Sequence, residues 1–159
     1  MKKLIGTAFR NLDTLGACFA LVVVILSVTY GVFMRYVFGD APVWTNELSA
    51  IAFTWLVFLG ASAAYKRKMH IGIDLLTRRI PGKAQWLVDL VGQLILLTFF
   101  GYMIVYGVLF SIESFAQPTS IMRLPNACFY LAVPVSFALM FFNQIASLKT
   151  RFLVRREDR

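Results

Sequence analysis

Four long apolar runs without a charged side chain constrain the fold of this chain more than any other feature. They cover residues 14–34, 48–65, 90–112 and 127–148, and none contains Lys, Arg, Asp, Glu or His. A helix of roughly 20 apolar residues crosses the hydrocarbon core of a bilayer, and one charge at its centre costs about 2.5–3.5 kcal/mol on insertion scales. We therefore predict one all-α integral membrane domain, residues 1–159, with four transmembrane helices that follow these runs, the third starting near residue 87.

Two other interpretations of the apolar runs fit less well. The chain is 59% hydrophobic with a mean hydropathy of +0.72, whereas soluble domains are about 45–50% apolar and give their surface helices a polar face. A cleaved signal peptide would start with Lys2 and Lys3, but the first run is too long for one and "YGVFMRYVF" offers no small-residue cleavage site. We interpret the first run as a retained membrane anchor.

The placement of positive charge predicts the orientation. With four spans, both tails and the middle loop fall on one side of the membrane, and they carry 14 of the 16 Lys and Arg residues. Only Arg35 and Arg123 fall on the other side. Because loops rich in Lys and Arg stay in the cytoplasm, we expect both termini on the cytoplasmic side.

The loop between the second and third spans is strongly basic. The segment "HIGIDLLTRRI" has an apolar and a basic side, which suits a short helix in the headgroup region, and a plain connector is the alternative. Basic residues also bind nucleic acid, but no nucleic-acid-binding motif surrounds these, so we expect no such partner. The candidates for contact with phospholipid headgroups are Lys66, Arg67, Lys68, His70, Arg78, Arg79 and Lys83.

Few side chains suit catalysis or metal binding. His70 is the only histidine, so a haem held by two histidines is excluded. Cys18 and Cys128 are expected near opposite membrane surfaces as small buried residues, too far apart for a disulfide or for a zinc site with His70. There is also no phosphate-binding loop or nucleophile motif. We predict no enzyme, no cofactor and no metal, with a four-helix membrane enzyme as an alternative.

A stand-alone four-helix transporter is the other alternative. Transporters place ionisable side chains or broken helices near the bilayer midplane, and the runs have no such acid and no evident repeat. They have instead small and polar residues that suit helix packing, and one tryptophan in the middle of a span. The packing candidates, within the chain or against a partner, are Trp55, Gly60, Ala64, Gly92, Gln93, Gly101 and Asn143.

The loops on the other side carry few charges. Glu47 is predicted in the first turns of the second helix, where the positive end of the helix dipole favours an acid. Arg35 lies across the same short loop, and we expect it to pair with Asp40 or Glu47.

Residues 35–76, "RYVFGDAPVWTNELSAIAFTWLVFLGASAAYKRKMHIGIDLL", resemble the small membrane subunit of tripartite ATP-independent periplasmic (TRAP) transporters. The shared features are Arg-Tyr-x-Phe after the first helix, a Trp and a Glu opening the second, Phe-Leu-Gly-Ala, a basic cluster with His, and Ile-x-Ile-Asp. Residues 124–141, "LPNACFYLAVPVSFALMF", resemble the last helix of that family. The order and spacing of these features, together with the four spans, make the resemblance specific.

The resemblance implies a non-catalytic subunit in the bacterial inner membrane. Its partner would be a large elevator-type membrane subunit, in a stable complex, that carries an organic acid with sodium. The small subunit would scaffold the large one, and a periplasmic substrate-binding protein would dock transiently. The substrate stays open among sialic acid, dicarboxylates, sulfonates and other acids. The docking candidates implied for this chain are Arg35, Asp40, Trp44, Glu47, Glu113 and Arg123.

Overall fold

Long helices make up most of the molecule. The computed structural model describes residues 11–40, 42–68 and 83–157. A short 3₁₀ turn, Ser114–Ala116, follows the third long helix, and the described residues include no β-strand. In chain order the α-helices are α1, Leu12–Val37; α2, Trp44–Lys68; α3, Lys83–Glu113; α4, Ala127–Tyr130; and α5, Ala132–Glu157.

Four helical segments are long and apolar enough to cross a membrane, with α4 and the first part of α5 acting together as the fourth. The prediction of an all-α membrane protein with four transmembrane helices is confirmed. The helices extend past the charge-free runs at their ends because polar residues can continue a helix into the headgroup region. The predicted surface helix in the basic loop, with His70, Arg78 and Arg79, lies outside the described residues.

The helices form an open array rather than a closed bundle. α1 packs along α2, α2 also contacts the fourth span, and the fourth span contacts α3. Among the described residues, any other pair of spans makes at most marginal contact. Buried residues make up only 11% to 28% of the hydrophobic window of each helix. Broad apolar surfaces are therefore left for lipid or for a protein partner.

Small side chains line the contacts between the helices. A Cβ atom added at Gly31 would lie 2.9 Å from Thr45 Oγ1, and one at Gly107 would lie 3.0 Å from Pro134 Cδ. Such residues let helix backbones approach closely and gain dispersion contact in lipid, where the hydrophobic effect does not drive association. The buried apolar set is accordingly rich in alanine, with Ala17, Ala20, Ala52, Ala127 and Ala132.

The predicted packing residues do not all lie at these contacts. A Cβ atom at Gly60, Gly92 or Gly101 would meet nothing within 4 Å. These glycines make no close helix contact inside this chain, and their role against a partner stays a prediction. Of the other candidates, Gln93 is buried, Asn143 and Trp55 are half-buried, and Ala64 is exposed.

The cysteines differ from the expectation that both are buried. Cys18 is exposed and Cys128 is half-buried. The expectation is wrong for Cys18 because, among the described residues, α1 makes more than marginal contact only with α2, which leaves much of the surface of α1 uncovered.

Two hydrogen bonds join α2 to the fourth span. Trp55 Nε1 donates to the carbonyl oxygen of Cys128 at 2.9 Å, and the Tyr65 hydroxyl donates to Gln144 Oε1 at 2.8 Å. Gln144 is 2% exposed, so this bond gives its amide oxygen a partner in a place that water does not reach. Hydrogen bonds between membrane helices are worth roughly 0.6–2 kcal/mol each.

Candidate docking surface

Two loops meet at one end of the array. The first follows α1 and the second, residues 114–126, follows α3. We call this the two-loop end, and we call the opposite end, where α2 finishes and α3 begins, the basic end. All six predicted docking residues belong to the two-loop end, since helices of alternating direction bring their loops together there.

Glu47 fixes the second loop to the start of α2. It lies in the first turn of α2, and its Oε2 accepts hydrogen bonds from the backbone nitrogens of Ile121 at 3.1 Å and Met122 at 3.2 Å. Hydrogen bonds to a charged acceptor are stronger than neutral ones. One carboxylate therefore joins segments that lie 74 and 75 residues apart in sequence.

The loop that Glu47 holds is a tight hairpin. In this hairpin loop, residues 117–126, the Thr119 nitrogen donates to the Leu124 carbonyl at 2.7 Å and the Asn126 nitrogen donates to the Gln117 carbonyl at 2.9 Å. The Leu124 nitrogen also donates to Thr119 Oγ1 at 3.0 Å. These bonds join the two sides of the hairpin loop and hold its ends together.

Two exposed side chains lie at the tip of the hairpin loop. Arg123 adopts φ +52°, the left-handed region that residues other than glycine rarely occupy, and its side chain is exposed. Ile121 is 45% exposed beside it. The tip of the hairpin loop therefore presents one cation and one aliphatic side chain to the surroundings.

The loop after α1 is equally well defined. Gly39 has φ +72°, which lets the chain leave α1 in the left-handed conformation that commonly ends a helix. Thr45 is 3% exposed, and its hydroxyl donates to the Pro42 carbonyl at 2.7 Å. The rings of Tyr30 and Trp44 lie 5.7 Å apart, so Trp44 is anchored against α1.

The expected pairing of Arg35 is wrong. Arg35 makes no ion pair with any described residue, and Glu47 uses its carboxylate for the hairpin loop instead. Arg35 lines a groove of about 240 Å³ between α1 and the start of α2, together with Asn46. An exposed guanidinium beside a groove can bind an acidic group of a partner.

The six docking candidates differ in how they face the surroundings. Arg35, Asp40, Trp44, Glu113 and Arg123 are exposed, and Glu47 is half-buried beneath the hairpin loop. The sequence interpretation did not include Phe38 and Phe115, which are 66% and 67% exposed at the same end. The only sequence signal for these two residues was their position directly after a helix, because aromatic residues at the ends of spans often lie at the membrane interface.

The basic end contains an ion pair that the sequence interpretation missed. Asp13 Oδ1 lies 3.5 Å from Lys66 Nζ, and the Asp13 side chain is 3% exposed. The sequence signal for this pair was the position of Asp13, one residue before a charge-free run. A carboxylate that is buried at the start of a span needs a partner for its charge. Arg67 is exposed and lines an apolar groove of about 350 Å³ between α1 and α2. Lys68 and Lys83 lie in helices, but their side chains, like His70, lie outside the described part of the chain.

The described residues were also compared with the pattern of a metal site. Within them, no group of three His, Cys, Asp or Glu side chains is arranged to hold a metal ion.

Comparison with protein families gives one match that covers most of the chain. Residues 24–153 match the family model for "Tripartite ATP-independent periplasmic transporters, DctQ component". This range begins inside α1 and ends inside α5, so it covers the second half of the first span and the whole of the other three.

Individual relatives match over different lengths. The C4-dicarboxylate TRAP transporter small permease protein of Vibrio cholerae is 40% identical over 68 residues, which is 43% of this chain and 29% of the relative. The sialic acid TRAP transporter small permease protein of the same organism is 20% identical over 146 residues, 92% of this chain and 84% of the relative. The isethionate TRAP transporter permease protein DctMQ of Oleidesulfovibrio alaskensis is 26% identical over 125 residues, 74% of this chain and 20% of the relative.

Proposed function

Because this chain belongs to the DctQ family of tripartite ATP-independent periplasmic (TRAP) transporters, we propose that it scaffolds a large permease subunit in the bacterial inner membrane. The chain is a small permease subunit of such a transporter and a multi-pass membrane protein. The match to one fifth of a protein named DctMQ supports a large permease partner, since that relative carries a similar region within a much longer chain.

The open array is the observation that carries this proposal. Its helices leave most of their apolar surface uncovered, and the central part of each span carries no Lys, Arg, Asp, Glu or His. A transport pathway needs polar groups inside a protein-lined cavity. A support for another membrane protein needs broad surfaces instead, and this chain offers them.

We also propose that the two-loop end faces the periplasm and receives the substrate-binding protein. The excess of Lys and Arg at the basic end supports a cytoplasmic location for that end and for both termini. Docking of a soluble protein at the other end is supported by three features: the hairpin loop that Glu47 holds, the exposed Arg123, and the exposed Arg35, which has no ion pair among the described residues.

The cargo of the proposed transporter is an organic acid anion carried with sodium. The names of relatives refer to C4-dicarboxylates, sialic acid and isethionate, all of which carry an acidic group. Coupling to sodium follows from the family resemblance alone and belongs to the same proposal.

Phospholipid headgroups are a further proposed partner of the basic loop. Clusters of Lys and Arg next to transmembrane helices attract anionic lipids. Neutralising Arg78, Arg79 and Lys83 together is expected to lower the anionic phospholipid that remains with the purified complex. An unchanged lipid profile by mass spectrometry would argue against this contact.

Reconstitution tests the scaffold proposal. The chain is purified with a large permease subunit from the same organism and placed in vesicles with an inward sodium gradient and a substrate-binding protein of the same family. Radiolabelled succinate, sialic acid and isethionate are offered in separate reactions. We expect uptake of one acid by the full set and none by this chain alone.

Two results would contradict the proposal. Accumulation of solute by this chain alone would show that it is a transporter in itself. Full uptake by the large subunit and binding protein without this chain would show that no scaffold is needed.

A further inference from the structure

Two tyrosines lie side by side on the outer surface of α3. The ring centroids of Tyr102 and Tyr106 are 4.2 Å apart, and the ring planes are inclined by 35°. Each residue is 54% exposed, on a helix that is otherwise almost wholly apolar along its span. Neither tyrosine takes part in the contacts that hold the array together.

The opposite side of α3 packs on the fourth span. Phe100 and Ser111 are 4% and 3% exposed, and Gly107 lies against Pro134. An α-helix turns by about 100° per residue, which places these buried residues roughly 140–180° around α3 from Tyr102. The tyrosines therefore point away from the array, at its outer edge.

Other polar residues of α3 lie on the same outer stripe. Thr98 and Glu113 fall within about 40° of Tyr102 around the helix axis, and both are exposed. We call Thr98, Tyr102, Tyr106 and Glu113 the tyrosine stripe. It runs from the middle of the span to the two-loop end, and no described element covers it.

The depth of Tyr102 makes exposure to lipid unfavourable. At 1.5 Å per residue, Tyr102 lies about 18 Å from residue 90 and about 15 Å from residue 112, which is the middle of a core of about 30 Å. Tyrosine favours the membrane interface, where its hydroxyl reaches water. From the middle of the span the side chain is too short to reach either headgroup layer.

The hydroxyls on the stripe are not equally satisfied. The Thr98 hydroxyl donates to the Leu94 carbonyl at 2.9 Å and needs no further partner. No described residue outside the pair hydrogen-bonds to the Tyr102 or Tyr106 hydroxyl, and the two rings lie 4.2 Å apart. Two hydroxyls that bond to each other use one hydrogen and leave the second without an acceptor. Hydrocarbon offers no acceptor, so the pair lacks a partner in lipid.

We propose that the tyrosine stripe is the contact surface for transmembrane helices of the large permease subunit, which supply acceptors to the Tyr102 and Tyr106 hydroxyls. This rests on the proposed function, because it identifies which face of the scaffold the large subunit covers. A second copy of this chain fits the surface poorly. Two parallel copies related by a two-fold axis would bring Glu113 against Glu113, and like charges repel.

Site-directed photocrosslinking tests the proposal in native membranes. The photoreactive residue p-benzoylphenylalanine replaces Tyr102 or Tyr106 while the chain is co-expressed with the large subunit. The matched control is Ile25, which is 55% exposed at a similar depth in α1, at the opposite edge of the array. We expect adducts between the two subunits from Tyr102 and Tyr106, and little or none from Ile25.

The outcomes separate this inference from the proposed function. If the large subunit co-purifies but Tyr102 and Tyr106 crosslink only to lipid or to a second copy of this chain, the stripe is not the interface and the scaffold role stands. Equal adduct yields from Ile25 would also overturn the assignment. If the large subunit does not co-purify at all, the scaffold role itself fails.

A second pair of variants removes the hydroxyls and keeps the rings. In Tyr102→Phe/Tyr106→Phe, we expect about threefold less large subunit retained after washing in detergent, because each lost hydrogen bond weakens the contact modestly. Tyr30→Phe, which removes a hydroxyl from α1, is the control. Unchanged retention in the double variant would contradict a role for the hydroxyls.

Discussion

The indole nitrogen of Trp55 donates a hydrogen bond to the carbonyl oxygen of Cys128, 2.9 Å away and 73 residues later in the chain. This bond joins α2 to the first turn of the fourth span. α4 ends at Tyr130, and α5 begins at Ala132, shortly before Pro134. A proline inside a helix removes one backbone hydrogen bond and favours such an interruption.

Replacing Trp55 by Phe tests how much this bond contributes. The ring stays and the donor is lost, so we expect a loss of about 0.6–2 kcal/mol in stability. The thermal midpoint of the purified protein in detergent measures the effect. Trp44→Phe is the control, because the described contact of Trp44 is a ring contact with Tyr30. Equal effects of the two variants would show that the Trp55 donor adds nothing.

Replacing Glu47 by Ala is expected to release the hairpin loop. The backbone amides of Ile121 and Met122 would lose their shared acceptor, and a hydrogen bond to a charged group is worth about 1.5–3 kcal/mol. We expect exchange of these two amides with deuterium to rise at least about tenfold. Glu113→Ala is the control, since Glu113 is exposed and accepts no hydrogen bond from the described residues. Unchanged exchange in Glu47→Ala would rule out the clamp.

Reversing the charge of Arg35 is expected to impair docking of the binding protein. Arg35→Glu puts a negative charge beside the groove, and like charges at a protein interface weaken association, here by about tenfold. Uptake measured against binding-protein concentration should show a higher half-saturating concentration with an unchanged amount of assembled complex. Arg67→Glu, at the basic end, is the matched charge reversal. Normal uptake by Arg35→Glu at equal expression would argue against a docking role.

Two glycine substitutions of the same kind should have opposite effects. A Cβ atom at Gly31 would lie 2.9 Å from Thr45 Oγ1, which is buried and bonded to the Pro42 carbonyl and therefore cannot move freely. We expect Gly31→Ala to lower the stability of the isolated chain by about 1–3 kcal/mol. Gly101 has nothing within 4 Å, so Gly101→Ala should be neutral or raise stability by up to about 1 kcal/mol through helix propensity. Thermal unfolding of both variants in detergent measures the two changes in stability. A loss of stability in Gly101→Ala without one in Gly31→Ala would contradict this packing.

The fold could be predicted from the sequence because its signal is local. A charge-free run of this length has few other solutions, so four helices followed from the positions of charged residues alone. The contacts made at the helix ends were harder to predict from the sequence. Glu47 was placed in the first turns of α2, and its acceptor role in the hairpin loop was not visible because the partners lie 74 and 75 residues away.

The packing between helices could be predicted only in part, for a related reason. Glycine marks a close approach only if another helix lies on the same side, and sequence does not show which side that is. Gly31 and Gly107 meet neighbours, whereas Gly60 and Gly101 do not. The ion pair of Asp13 and Lys66 could not be predicted from the sequence either. Lys66 begins a run of basic residues, and nothing in the sequence distinguishes it from its neighbours in that run.

An open array also has a mechanical consequence. No span is shielded by a ring of other helices, so each one meets the acyl chains or the companion subunit directly along its whole length. Tilt is then set by hydrophobic mismatch as much as by internal packing. A thicker or thinner bilayer would change the tilt of these helices and, through the hydrogen bonds that Glu47 accepts from residues 121 and 122, the angle between the hairpin loop and the membrane surface.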